Sequence, residues 1–163
     1  MGKHGLTRWR TRDITVFTRL PGTGIPDAHR VLVRAVRCFG HLAVHPSLLE
    51  TFTIGDPENV TTWEAHPTHP TATSRRWVIT HRATGLRFSS GATGRGFIVK
   101  SNARKFMELI DKRFGEVLGS LPTTESPEDV IVALMEHDRY DDLLEAKRDL
   151  EKKYGGRKKV TEG

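Results

Sequence analysis

Apolar positions recur along this chain at two periods, and the change from one to the other marks out its elements. Residues 14–20, ITVFTRL, alternate apolar and polar side chains, which predicts a strand. Over 26–39 the spacing lengthens: Ala28, Leu32, Ala35, Val36 and Phe39 recur as on one side of a helix, with Arg30, Arg34 and Arg37 along the other. Pro26 and Asp27 suit the first turn of such a helix. A helical turn and then a strand are expected within 46–54, and VTTWEA, 60–65, reads as a further strand. Pro67 and Pro70 make HPTHPTATS, 66–74, a loop, because proline cannot donate to a strand ladder.

RRWVITHR and LRFSS then read as a hairpin spanning about 75–90, with Thr84-Gly85 as its turn. In that register Trp77, Ile79, Leu86 and Phe88 face inward, while Arg76, Arg82 and Arg87 face outward with Val78 and Thr80, and Arg82 lies opposite Arg87. After Gly91, Gly94 and Gly96, GFIVK at 96–100 is expected to be a third strand. Ser101 is placed as the cap of a helix whose buried side carries Ala103, Phe106, Met107, Ile110, Phe114, Val117 and Leu118. Ser126-Pro127-Glu128-Asp129 resembles a capping box, and Val130, Ile131, Leu134, Met135, Tyr140, Leu143, Leu144, Leu150 and Tyr154 continue as one bent helix or two shorter ones, with Met107 and Met135 read as core. The expected architecture is a single α+β domain over 13–154. A small antiparallel sheet, the hairpin plus the strand near 96–100, packs on two or three amphipathic helices, between a basic arm at 1–12 and a basic, disordered tail at 155–163.

Charge changes this picture more than composition does. The 163 residues carry a formal net charge of only +6, but the charge is unevenly placed. Residues 65–107 contain no Asp or Glu and hold Arg75, Arg76, Arg82, Arg87, Arg95, Lys100, Arg104 and Lys105. Residues 108–151 are strongly acidic, and Lys152, Lys153, Arg157, Lys158 and Lys159 restore positive charge near the end. A continuous acid-free basic stretch makes a local potential that attracts polyanions, unless the acidic helices answer it inside the fold.

Specific chemistry is sparsely marked. Cys38, His41 and His45 would share one side of the expected helix at spacings of three and four, with His66 and His69 as further donors, but no fourth ligand is fixed by spacing, so no metal site is assigned. Glu64, His66, His81, Ser89 and Ser90 could serve acid–base or nucleophilic steps only if the fold assembled them, and no cofactor motif is present. LPGTG at 20–24 matches a cell-wall sorting signal, but Arg30, Arg34 and Arg37 follow where such signals are apolar, so a Pro/Gly turn is expected. No stretch is long and apolar enough to span a membrane, and the single cysteine excludes an internal disulfide; the expected setting is cytoplasmic.

The run TGLRF, a glycine-rich turn, GFIVK and a following helix is similar to the three-stranded-sheet-plus-helix modules of phage integrase arm domains, over about forty residues. That resemblance implies a sheet face laid against DNA, with arginines on phosphates and Arg76, Arg82 or Arg87 near base edges. The expected function is therefore non-enzymatic nucleic-acid binding through Arg76, Arg82, Arg87, Arg95 and Lys100, aided by the helix stripe of Arg30, Arg34 and Arg37. The alternative is a structural or assembly protein, phage- or plasmid-encoded, that self-associates through complementary basic and acidic surfaces.

Overall fold

A computed structural model describes residues 9–18, 29–46, 53–56, 60–64, 76–123 and 127–160. The class is α+β. Seven strands form one open sheet: β1 (Trp9–Thr18), β2 (His29–Phe39), β3 (Leu42–Pro46), β4 (Thr53–Asp56), β5 (Val60–Glu64), β6 (Trp77–His81) and β7 (Arg87–Ser89). Three helices follow: α1 (Lys100–Gly119), α2 (Pro127–Met135) and α3 (Tyr140–Tyr154). The sequence at 20–24, the HPTHPTATS loop, and residues 1–8 of the basic arm lie outside the described residues.

The helix expected over 26–39 is a strand. β2 pairs with β1 along its whole length, from Thr18↔His29 to Trp9↔Phe39. Its other edge is shared, with Val31–Arg34 parallel to β5 and Arg37–Phe39 antiparallel to β3. The pairing is irregular between Arg12 and Ile14, which sit opposite Val36 and Val33. That bulge is why two buried valines stand three residues apart, a spacing that in sequence imitates a helix. Arg30, Arg34 and Arg37 therefore do not form a stripe along a helix. They occupy strand positions opposite Phe17, Glu64 and Val44.

Two clusters of apolar side chains lie on opposite faces of the sheet. Phe39, Leu42, Val44, Trp77, Ile79 and Phe97 meet Ala103, Phe106, Met107, Ile110, Phe114, Val117 and Leu118 of α1, so the helix side expected to be buried is buried. Ile14, Val16, Val33, Val36, Cys38 and Ala43 form the second cluster. Leu42, Ala43 and Val44 alternate between the two, which is the period of a strand buried on both faces. β3 and β6 are buried throughout, including Val78 and Thr80, so the outward sheet face expected at those positions is interior. LAVHP and WVITH carry no Asp, Glu, Lys or Arg, and an uncharged run of this length belongs to a central strand.

The β6–β7 turn is longer than Thr84-Gly85. Arg87 pairs with Thr80, His81 N–H donates to Leu86 O (2.8 Å), and Gly85, at φ 75°, donates back to His81 O (2.8 Å). The buried His81 ring organises this loop: Nε2 donates to Leu118 O (2.8 Å), leaving Nδ1 to accept from the Thr84 hydroxyl (2.8 Å). Arg82 is thereby drawn away from Arg87. Its N–H donates to His41 O (2.9 Å) and its guanidinium to Gly40 O (2.7 Å).

GFIVK contributes one bridge, Phe97↔Trp77, before α1 begins at Lys100 with extended Val99, not Ser101, in the capping position. The run after Ser126 forms two helices. α3 lies on α1 through Leu143, Ala146 and Tyr154, but Ile131, Val132 and Met135 of α2 are about half exposed, so Met135 is not core. Among the described residues no helix is long and apolar enough to cross a membrane.

Candidate polyanion site

The described chain gathers three cations at one place. Arg37 comes from the end of β2, and Lys100 and Arg104 stand one turn apart at the start of α1, on the same side of it. Trp9, at the start of β1, is packed on Phe39 with ring centroids 5.0 Å apart. The Arg104 guanidinium lies 4.7 Å from the Trp9 ring centroid and that of Arg37 lies 5.9 Å from it. The Lys100 ammonium sits 4.8 Å above Trp77. These distances are within cation–π range, so the indoles hold the charged groups in place without neutralising them.

Lys100 and Arg104 feel both burial and their cationic neighbours. Burial first, and then the charges of Arg104 and Arg37, push the Lys100 ammonium below its ordinary pKa. Arg104 is lowered by burial and by Arg37, an effect partly offset by Glu108. The first turn of α1 holds no acid, and Val99 provides no side-chain cap, so the positive end of the helix dipole adds to the same field. Like charges held together in this way are relieved by a bound anion.

Several acids of the helices have other neighbours, although Glu108 also acts on Arg104. Glu108 pairs with Lys105 (3.8 Å) and Lys112 (3.1 Å), and Glu151 pairs with Lys147 (3.0 Å) while accepting from the Ser89 hydroxyl (2.5 Å). Asp142, Glu145 and Asp149 of α3 line a groove with Arg113 of α1.

Of the residues expected to bind nucleic acid, Arg37 and Lys100 meet in this cluster. Arg82 is engaged with the Gly40–His41 turn. Arg87 is exposed on β7 and donates to the Ser90 hydroxyl (3.2 Å) on the far side of the sheet, where its charge is felt by His45. Arg95 is exposed in the glycine-rich turn, and Arg76 is half-buried beside Trp77. The side chains of Arg30 and Arg34 lie outside the described residues. Arg104 belongs to the acid-free basic stretch, but with GFIVK read as a strand up to Lys100 its place one helical turn from Lys100 is shown only by the structure. Trp9, which the sequence offers as a base-stacking side chain if exposed, is half-buried against Phe39 and lies under the Arg37 and Arg104 guanidinium groups.

The candidate chemical groups are separated. Cys38 is buried on β2, His41 stands in the turn, and His45 lies inside β3; among the described residues no group of three or more His, Cys, Asp or Glu could hold a metal ion. Both nitrogens of the His81 ring are occupied, Ser89 is bonded to Glu151, and His66 is outside the described residues. No family of known sequence, no curated protein and no solved structure matches the chain.

Proposed function

We propose that this protein is a non-enzymatic nucleic-acid-binding protein whose phosphate-binding site is the cluster of Arg37, Lys100 and Arg104 framed by Trp9 and Trp77. The observation that carries this reading is the convergence of three cations from two elements over two indoles, where Arg104 and Arg37 add to burial in raising the cost of the Lys100 charge. Keeping such a cluster serves a purpose when a polyanion occupies it. Phosphate backbones fit, because their repeated charges reward several cations at once and the contacts need no particular base.

The test is binding of a labelled 30-mer, as duplex DNA, single-stranded DNA and RNA, over a salt series. Wild type is expected to weaken steeply as salt rises. Joint replacement of Arg37, Lys100 and Arg104 by Ala is expected to lower affinity at least tenfold and to flatten the slope of log K against log salt by up to about 2.7 for three lost duplex contacts. Wild-type binding that is absent at low salt, or is untouched by the triple replacement, removes the reading.

A second reading, self-association, has its own observation. Ile131, Val132 and Met135 leave α2 apolar on its outer side, next to a hollow of about 190 Å³ lined by Leu86, Leu118, Leu121, Val130, Ile131 and Leu134. A helix apolar around most of its circumference is normally covered. Sedimentation is expected to show a dimer whose dissociation constant rises at least tenfold in the Val132→Glu, Met135→Glu double variant. A monomer at all concentrations excludes this reading.

A further inference from the structure

Asn102, in the first turn of α1, is buried at 1 % exposure, yet it makes no contact that serves the helix as a cap. Its carboxamide is spent on the C-terminal segment instead. Nδ2 donates to Lys158 O (2.8 Å) and Oδ1 accepts from Val160 N–H (2.8 Å). One side chain thus pairs with a peptide acceptor and a peptide donor two residues apart, as a neighbouring strand would, and Val160 packs against the core beside it. Residues 155–160, whose composition reads as a disordered tail, are held at their far end by this pair of bonds.

What the latch holds is a run of charge. Arg157, Lys158 and Lys159 are all exposed. At its near end the segment leaves α3 through Gly155, which lies against Ala92 in the turn that also carries the exposed Arg95. Lys100 and Arg104 occupy one side of α1; Asn102, two residues from each, points to the opposite side of a helix about 10 Å across. Fixing a polar, self-repelling run in one place costs both conformational entropy and Coulomb energy. A latch that works against both is explained if the charges are needed in that place.

We propose that Arg157, Lys158 and Lys159 form a second limb of the same site, positioned by Asn102, so that a nucleic-acid backbone meets cations on both sides of the start of α1. This inference rests on the function proposed above and adds to it where the bound strand runs.

The experiment uses the full chain and a fluorescein-labelled 30-mer DNA duplex over a salt series. Joint replacement of Arg157, Lys158 and Lys159 by Ala, all at exposed positions, is expected to reduce the slope of log K against log salt by up to about 2.7 and to weaken binding at least fivefold at 100 mM salt. Asn102→Ala keeps every charge and is expected to weaken binding severalfold, with the Val160 amide resonance shifting towards its random-coil position; thermal unfolding confirms that it remains folded. A tail triple variant with wild-type affinity and slope, beside an Arg37/Lys100/Arg104 variant that has lost binding, overturns the second limb and leaves the first site standing. Loss in the tail triple with no effect of Asn102→Ala overturns the positioning role. A wild type that does not bind the duplex overturns this inference, and it removes the proposed function as well when single-stranded DNA and RNA also fail to bind.

Discussion

Gly40→Ala is expected to cost about 3–4 kcal/mol, a large share of the 5–15 kcal/mol that holds a domain of this size together. Gly40 is the first residue of the two-residue turn between β2 and β3 and has φ 59°, a left-handed conformation that a side chain disfavours by roughly 1–2 kcal/mol. The larger part comes from its neighbour. A β-carbon at Gly40 would occupy the space of the Asp111 carboxylate, which reaches the turn from α1 and accepts a hydrogen bond from His41 N–H at 2.9 Å. Pushing that carboxylate aside strips a partner from a part-buried amide, a loss of about 1–3 kcal/mol. Denaturant unfolding should show a lower midpoint at an unchanged m-value. In an Asp111→Ala background the same change should cost only the backbone part, about 1–2 kcal/mol. An equal cost in both backgrounds would show that the carboxylate is not the obstacle.

Acid should weaken the fold through His45, by roughly 3 kcal/mol between pH 6.5 and 4. This imidazole is 1 % exposed, and its Nδ1 donates to Pro46 O (2.8 Å) while Nε2 accepts from the Thr80 hydroxyl (2.9 Å). Burial lowers its pKa to about 4, against the small opposing effect of the Pro46 carbonyl and with a minor contribution from the Arg87 charge. The sign follows from proton counting. Between about 4 and 6.5 the unfolded chain binds a proton that the folded chain refuses, so stability is full above 6.5 and drains away as pH falls through that window. His81, lowered chiefly by burial, acts in the same direction. Asp111, raised chiefly by burial, acts in the opposite one, because its protonated form is the one that the fold favours. Comparing wild type with His45→Gln cancels these shared contributions. The difference in unfolding free energy should shrink by roughly 3 kcal/mol from pH 6.5 to 4, and a constant difference would mean that the ring titrates normally.

α1 was legible in the sequence because its burial repeats: Ala103, Phe106, Met107, Ile110, Phe114, Val117 and Leu118 keep one side along the helix, whereas α2 leaves Ile131, Val132 and Met135 half exposed. β2 was not legible. A bulge between Val33 and Val36 converts an alternating strand into a three-residue spacing, and a pattern read locally has no means of seeing the partner strand that imposes it. The loop at 82–86 is longer than its sequence suggests for a similar reason, since two contacts from elsewhere, Leu118 O to His81 and Gly40 O to Arg82, hold it. At the candidate site, the acid-free basic stretch pointed to Lys100 but could not rank its arginines. Arg82 and Arg104 look alike in sequence; one is consumed by a turn and the other stands over an indole.

Cys38 gives the chain an internal clock. As the sole cysteine, fully buried in a strand paired on both edges and with its thiol pushed up by burial, it is shielded from any reagent that attacks thiolates while the sheet is closed. Modification has to wait for the sheet to part. The pace of thiol labelling therefore measures how often the β1–β2–β3 unit opens, without any introduced probe, and separates breathing of the sheet from fraying of α2 or release of the tail, neither of which uncovers the sulfur.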